Sequence, residues 1–305
     1  MLVMGEVHTG LLQSSGEIPE SACRDVLHLM SGETVRLSRR PMIYAVSPDL
    51  LTGVDCRLPS ASRSRIRGVG TVVSHSSITG GRVVQGSSYA RVERAETDRR
   101  LAWSHYLARP GVIEVLGKAK SSDLGDGFIG DPQPNGLDLG SISARFMDVV
   151  QSSPLLDRRA PFKVARTKVR WVAQPGDPAI RFTLNADQTR TIRIAHSGDF
   201  TPAVVDLCED LALHDWLLTT LLLIVERARI GGRAGPEVVA KLAPAVDHLL
   251  HLWMPAARVD EALVPYWHGL EDRMRFTAQW ERLVRRIRDQ LTLNDAAMLR
   301  SARHP

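Results

Sequence analysis

The feature that most constrains this chain is an apolar helical segment at residues 208–232, CEDLALHDWLLTTLLLIVERARIGG. Between Asp215 and Glu226 lie ten residues without charge, WLLTTLLLIV. A membrane-spanning helix needs roughly 20 apolar residues, so we predict no membrane span. From Trp216 to Val225 the apolar positions cover nearly every face of the helix. A helix that is apolar on all sides is expected to be buried on all sides.

We expect this helix to begin at Thr201-Pro202 and to end at Gly231-Gly232, because threonine caps helices, proline suits the first position and glycine ends them. Either the other C-terminal helices wrap it, or the β-rich region or another chain covers part of it. The candidate core or partner-binding residues lie in the apolar run and are Trp216, Leu217, Leu221, Leu222 and Ile224. If the helix is central, Leu222→Asp should abolish soluble expression.

The other patterns predict an α+β fold, with an antiparallel β-rich N-terminal part followed by a helical C-terminal domain. Residues 1–200 read mainly as strands, and the clearest hairpin turns at residues 79–81, Thr-Gly-Gly. A stretch at about 121–160 is rich in glycine, aspartate and proline and is predicted to be a long loop that holds at most one short helix. Strands resume over 161–197 as an antiparallel meander. Residues 201–305 have helical periodicity and form the second predicted domain.

Composition narrows the class of protein. Hydrophobic residues make up 44% of the 305 residues, too many for a disordered chain. The three cysteines are widely separated, which favours reduced thiols and a cytoplasmic location, and the start MLVMGEVHTG does not resemble a signal peptide. The first 200 residues carry 26 basic and 20 acidic side chains, and the rest carry 13 and 14. An electrostatic partner should therefore meet the β-rich part.

Two basic features stand out within that part. Strand alternation places five cations on one side of the last three strands, namely Arg166, Lys168, Arg170, Arg181 and Arg193. Such a face could bind phosphates or an acidic protein surface, or it could be a solvated outer face whose charges block edge pairing. A second stretch, residues 57–92, holds six arginines and no acidic residue. Its segment SASRSRIRG suits either an anion-binding loop or ordinary exposed surface.

No arrangement of residues in the sequence predicts catalysis. Ser74-His75 and Ser104-His105 are adjacent pairs, and neighbours on a strand point to opposite faces. Three histidines of the helical part, His214, His248 and His251, are interpreted as helix-interface residues, because the inward carboxylates of a helical metal site are missing. We therefore predict no catalytic, metal or cofactor site, and the sequence favours a protein without enzymatic activity.

Four long runs resemble an uncharacterised actinobacterial protein family of about this length. They are MLVMGEVHTGLLQ, YAVSPDLLTGVDCRL, WSHYLARPGVIEVLGK and DLCEDLALHDWLLTTLLLIVE. The genes of that family lie in a conserved cluster with a variant P-loop protein and a methyltransferase-like protein. The resemblance implies a cytoplasmic component of a multi-protein system, and it carries over no active-site residue.

Three functional hypotheses follow. The leading one is a non-enzymatic interaction or assembly subunit of a multi-protein bacterial system. Its partners would be products of neighbouring genes, the variant P-loop protein among them, or a second copy of the chain. The alternative is a nucleic-acid- or anion-binding protein that uses the basic sheet face. The third is an enzyme whose site is assembled from distant residues, which a deep pocket with convergent polar groups would favour.

Overall fold

The hairpin predicted at residues 79–81 is confirmed and lies inside a large sheet in a computed structural model of the chain. The structure describes residues 1–130, 133–185, 189–197, 202–228 and 236–302. The two glycines of the turn both have positive φ, 56° and 59°, a conformation that glycine adopts without the penalty a side chain would add. The predicted α+β class is confirmed as well, because strands dominate the N-terminal part and helices follow it.

Ten strands of the described chain form one mixed sheet. They are β1 (Leu2–Leu11), β2 (Arg36–Ser38), β3 (Tyr44–Val46), β4 (Leu50–Leu58), β5 (Ile66–Thr79), β6 (Val83–Arg94), β7 (Val112–Leu116), β8 (Thr167–Pro175), β9 (Ala179–Leu184) and β10 (Arg190–His196). The strand order is β2-β3-β5-β7-β6-β1-β8-β10-β9, and β4 also pairs with β5. Eight helices lie in the described chain: α1 (Glu20–Leu27), α2 (Trp103–Leu107), α3 (Ser121–Ile129), α4 (Leu139–Gln151), α5 (Ala203–Ala228), α6 (Pro236–His248), α7 (Val264–Met274) and α8 (Phe276–Ala302).

The antiparallel meander predicted for the last three strands is wrong. β10 lies between β8 and β9, parallel to β8 and antiparallel to β9. Burial agrees with this order, because most residues of β10 are buried, whereas four of the six residues of β9 are exposed. The more apolar strand therefore takes the interior place and β9 forms the edge.

The long loop predicted at about 121–160 is wrong in part: the one short helix expected within it is present as α4, but α3 occupies Ser121–Ile129, where loop is predicted. Burial of Leu124 and Phe128 of α3 in a core cluster with strand residues outweighs the weak helix propensity of the glycines. The side chain of Asp138 caps α4 by accepting a hydrogen bond from the backbone nitrogen of Ser141 at 2.8 Å.

Helices cover both faces of the sheet. One face carries α3 and α4, and the other carries α5, whose apolar residues share one hydrophobic core with β1, β8, β9, β10 and the helices that follow. At the centre of that core, a Cβ on Gly5 would lie 2.2 Å from the indole of Trp171. The absence of a side chain at Gly5 thus lets Trp171 lie flat on β1, and the shared core joins the two predicted domains.

The central helix α5 follows the sequence prediction with one exception. Its candidate residues Trp216, Leu217 and Leu221 are fully buried. Leu222, in contrast, is 43% exposed, and Thr219 and Leu223 on the same face are only half-buried, so α5 is not buried on all sides as predicted. The predicted start at Thr201 and the predicted glycine stop lie outside the described residues. Among the described helices, none combines the length and the apolar character that a membrane span requires.

Candidate functional site

A pocket of about 380 Å³ opens at the edge of the sheet, where β2, β3 and β5 meet the first turns of α5. Its polar lining comes from four separate segments and consists of Arg36, Ser38, Arg40, Tyr44, His75, Asp206 and Arg258. We call it the arginine pocket. Its volume lies in the range of small-molecule sites.

His75 forms the buried base of the arginine pocket. Its Nε2 lies 2.6 Å from Oε1 of Glu209 on α5, and both side chains are almost completely buried. Oδ1 of Asp49 lies 3.4 Å from the other ring nitrogen, Nδ1, but the contact lacks hydrogen-bond alignment. Burial alone would lower the pKa of His75, but the charges of Glu209 and Asp49 outweigh it and raise that pKa to about 10. His75 is therefore protonated at neutral pH.

Glu209 is the counter-ion of His75. Burial would raise the pKa of the Glu209 carboxyl, but the positive charge of His75 and the hydrogen bond from it hold that pKa below its usual value. Tyr44 Oη lies 3.4 Å from the second carboxylate oxygen. The three side chains thus form a buried polar unit in which one full positive charge faces one full negative charge.

Arg258 closes one wall of the arginine pocket. Its guanidinium carbon lies 3.7 Å from the centre of the Tyr44 ring, a cation–π geometry. Nη2 of Arg258 lies 3.8 Å from Oδ1 of the buried Asp210. The other carboxylate oxygen of Asp210 accepts a hydrogen bond from the backbone nitrogen of Ala256 at 2.9 Å. Arg258 is therefore fixed in place and its charge is partly neutralised.

Asp206, in the first turn of α5, supplies a carboxylate at the pocket wall. Solvent reaches this side chain, but the surrounding protein withholds much of the water that a free carboxylate would have. This desolvation, together with the negative charge of Glu209, raises the pKa of Asp206 to about 6. Asp206 therefore changes its charge close to neutral pH.

Arg36 and Arg40 line the arginine pocket without a close ion pair in the described chain, although the charge of Arg36 also acts on Asp49 and Asp206. Both arginines are exposed and line the pocket from the β2–β3 hairpin. Within the described chain, neither guanidinium has a carboxylate within 4.0 Å. Two such guanidinium groups that face the same small pocket are suited to bind the oxygen atoms of a phosphate or a carboxylate.

The sequence does not single out this site. Ser74-His75 stands out there only as an adjacent pair, and no local pattern groups the three arginines, Tyr44 and the acidic residues. One signal is present: Glu209 and Asp210 lie inside the apolar run of α5, and buried charges require partners. The identity of those partners depends on long-range packing, because 134 residues separate His75 from Glu209.

The predicted basic face is assembled, but much of its charge is compensated. Register places Arg170, Arg181 and Arg193 on one sheet face. Arg170 pairs with Glu6 at 3.1 Å and Arg193 with Asp126 at 2.5 Å. Arg166 lies just before β8 and pairs with Asp148 at 2.6 Å. Lys168 and Arg181 have no carboxylate within 4.0 Å among the described residues.

Of the three histidines interpreted as helix-interface residues, His214 lies in helix packing, whereas His248 stacks on Phe162 and His251 is exposed. The ring of His214 contacts the backbone oxygen of Asp210 at 2.7 Å and packs edge-on against Trp253 and Trp267. Asp215, its neighbour in the sequence, instead pairs with Arg190. In the described part of the chain, no three histidine, cysteine, aspartate or glutamate side chains converge as metal ligands.

Comparisons of the chain with family models, curated proteins and solved structures found no match. The resemblance to an actinobacterial family therefore stays a prediction. The function has to be inferred from the geometry of the chain itself.

Proposed function

We propose that this protein binds a small anionic molecule, one that carries a phosphate or carboxylate group, in the arginine pocket. The observation that carries the proposal is the convergence of Arg36 and Arg40, neither ion-paired in the described chain, on a cavity of about 380 Å³ above the buried His75–Glu209 pair. Glu209 already neutralises His75, so an anion would be held mainly by the two exposed guanidinium groups. Arg258, fixed against Tyr44, would shape the wall.

Isothermal titration calorimetry would test this proposal with inorganic phosphate, pyrophosphate and citrate as probes. The double variant Arg36→Ala/Arg40→Ala should weaken anion binding at least about tenfold, because a charge-assisted hydrogen bond contributes roughly 1.5–3 kcal/mol. Arg285→Ala, at an exposed position of α8, is the matched control and should leave the affinity unchanged. If none of the anions binds, or if the double variant binds as well as the wild type, the proposal is wrong.

The pH dependence of binding provides a second test. With sulfate as the probe, whose charge does not change over this range, anion affinity should increase as pH falls through about 6, because protonation of Asp206 removes a negative charge from the pocket wall. Asp206→Asn should bind more tightly at neutral pH and should show little change across the same range. An unchanged pH profile in that variant would contradict the role given to Asp206.

A second candidate function is enzymatic. A carboxyl group with a pKa of about 6 in a small-molecule pocket is suited to transfer a proton near neutral pH, so Asp206 is the residue to examine once a ligand is known. The role as a subunit of a multi-protein cytoplasmic system stays a prediction from the sequence. It could coexist with ligand binding.

A further inference from the structure

We propose that a second site, built around α3, binds the phosphate backbone of duplex DNA. Its cations come from the two basic stretches of the sequence, and we call their joint area the basic surface. Arg57 lies near the end of β4, Arg63 and Arg65 lie on the β4–β5 connection, and three more cations lie on the last strands, namely Lys168, Arg181 and Arg193. The proposal is independent of ligand binding in the arginine pocket.

A cavity of about 600 Å³ anchors the basic surface. Arg57, Arg63 and Arg65 line one side of it, and Asp126 and Gly130 at the end of α3 line the other. Ser64 adds a hydroxyl group to the lining. Arginine and hydroxyl donors around an open cavity are the contacts that proteins make to phosphate oxygens.

α3 connects this cavity to the strand cations. The carboxylate of Asp126 pairs with Arg193 at 2.5 Å. The backbone oxygen of Gly130 accepts a hydrogen bond from Arg170 at 3.2 Å. Two residues of the cavity wall therefore touch the sheet face directly. Stretches more than 100 residues apart in the sequence become neighbours through a helix that lies where the sequence pattern predicts a loop.

Most of these cations have no acidic partner among the described residues. Arg57, Arg63, Arg65, Lys168 and Arg181 have no carboxylate within 4.0 Å in that part of the chain. The nearby carboxylate of Asp123 is engaged by hydrogen bonds from Ser60 at 2.6 Å and from the backbone of Ser62 at 2.8 Å. The phosphates of a bound polyanion would relieve the mutual repulsion of these cations, and the release of counter-ions from each contacted phosphate would add to the affinity.

The shape and chemistry of the basic surface favour a polyanion that is bound through the phosphates of its backbone. The cations continue from the cavity onto the strands, farther than a single phosphate would require. The described residues that line the cavity include no aromatic side chain, whereas proteins that hold single strands stack bases on aromatic rings. A duplex presents regularly spaced phosphates and keeps its bases stacked inside, so duplex DNA is the form of nucleic acid that we assign.

Fluorescence anisotropy with a labelled DNA duplex of about 20 base pairs, two helical turns, would test the assignment over a series of salt concentrations. The triple variant Arg57→Ala/Arg63→Ala/Arg65→Ala should weaken binding at least about tenfold. It should also reduce the salt slope by about one for each phosphate that is no longer neutralised. The double variant Lys168→Ala/Arg181→Ala should reduce both the affinity for the duplex and the salt slope, but to a smaller extent. Circular dichroism and thermal melting should show that all variants stay folded, because the substituted side chains are exposed.

Two controls separate this site from general electrostatics and from the arginine pocket. Arg285→Ala removes one positive charge from α8, and Arg36→Ala/Arg40→Ala removes two from the arginine pocket; both should bind the duplex like the wild type. The proposal is overturned if the duplex does not bind at low salt, if the controls lose binding to the same extent, or if a single strand of equal length binds more tightly than the duplex. Binding of pyrophosphate to the cavity without any binding of the duplex would also overturn it.

Discussion

The arginine pocket buries its central charges in pairs, whereas the basic surface leaves most of its cations in solvent. His75 and Glu209 are almost fully buried and lie 2.6 Å apart. In contrast, Arg193 and Asp126 are paired at the surface with 41% and 51% of their side chains exposed. Water screens the exposed pair but not the buried one. The same type of contact should therefore matter greatly for stability in one region and little in the other.

The largest effect is expected on α5, the helix that supplies Glu209 and Asp206. Leu221→Asp should abolish folding, because it places an unpaired carboxylate where the side chain is fully buried and costs more than about 5 kcal/mol. Leu222→Asp, one residue further along, should stay soluble with a change within about 0.5 kcal/mol, contrary to the expectation from the sequence, since that side chain is 43% exposed although α5 is central. Soluble yield and urea unfolding would compare the two variants, and equal losses would mean that α5 is covered on this side as well.

The next largest effect concerns the buried pair itself. Glu209→Leu should lower the free energy of unfolding by about 3–5 kcal/mol, because it leaves a buried imidazolium without its counter-ion. The double variant His75→Phe/Glu209→Leu should recover part of that loss, since an apolar pair needs no compensation. Urea unfolding at neutral pH measures the free energy of unfolding of the single and the double variant. If the single variant is as stable as the wild type, the pair is not a buried ion pair.

The pair also predicts how stability depends on pH. Because the folded pKa of His75, about 10, lies above its ordinary value of 6.5, the stabilisation is complete below pH 6.5 and is lost as pH rises through 10. Over that interval the free energy of unfolding should fall by up to about 1.4 kcal/mol per pH unit. The pKa of Glu209 is lowered, so its contribution is lost only when pH falls below 4.5. In His75→Gln the free energy of unfolding should change less with pH above pH 6.5 than it does in the wild type. If both proteins show the same dependence on pH, the raised pKa assigned to His75 is wrong.

The smallest effect is expected at the basic surface. Asp126→Ala breaks the pair with Arg193, and an exposed pair contributes about 0–1 kcal/mol. The variant should therefore unfold almost like the wild type, while it should bind duplex DNA more tightly, because a carboxylate is removed from the cavity wall. If the free energy of unfolding falls by several kcal/mol, this exposed pair stabilises the fold as strongly as the buried pair of the arginine pocket, and the contrast between the two regions is wrong.

The two regions differ in how far the sequence predicted them. Strand alternation correctly placed Arg170, Arg181 and Arg193 on one face, since side chains point to opposite faces with a period of two whatever the strand order. The strand order itself was mispredicted, because pairing between β8 and β10 depends on burial of the whole strand. The acidic partners of Arg170 and Arg193 were not predicted, since they come from β1 and α3.

By itself, the sequence determined the local features: the hairpin at residues 79–81, the apolar helix α5 and the arginine-rich segments. Each depends on residues that are close in the chain, through glycine conformation, helical periodicity or strand alternation. Only the tertiary structure decided which charges meet. In the fold His75 lies against Glu209, and Arg36 and Arg40 line one pocket. Leu222 stays exposed, and α3 brings two distant basic stretches together. The reason is physical: a buried charge is stabilised by whichever partner packing brings within a few ångströms, and separation along the chain does not limit that choice.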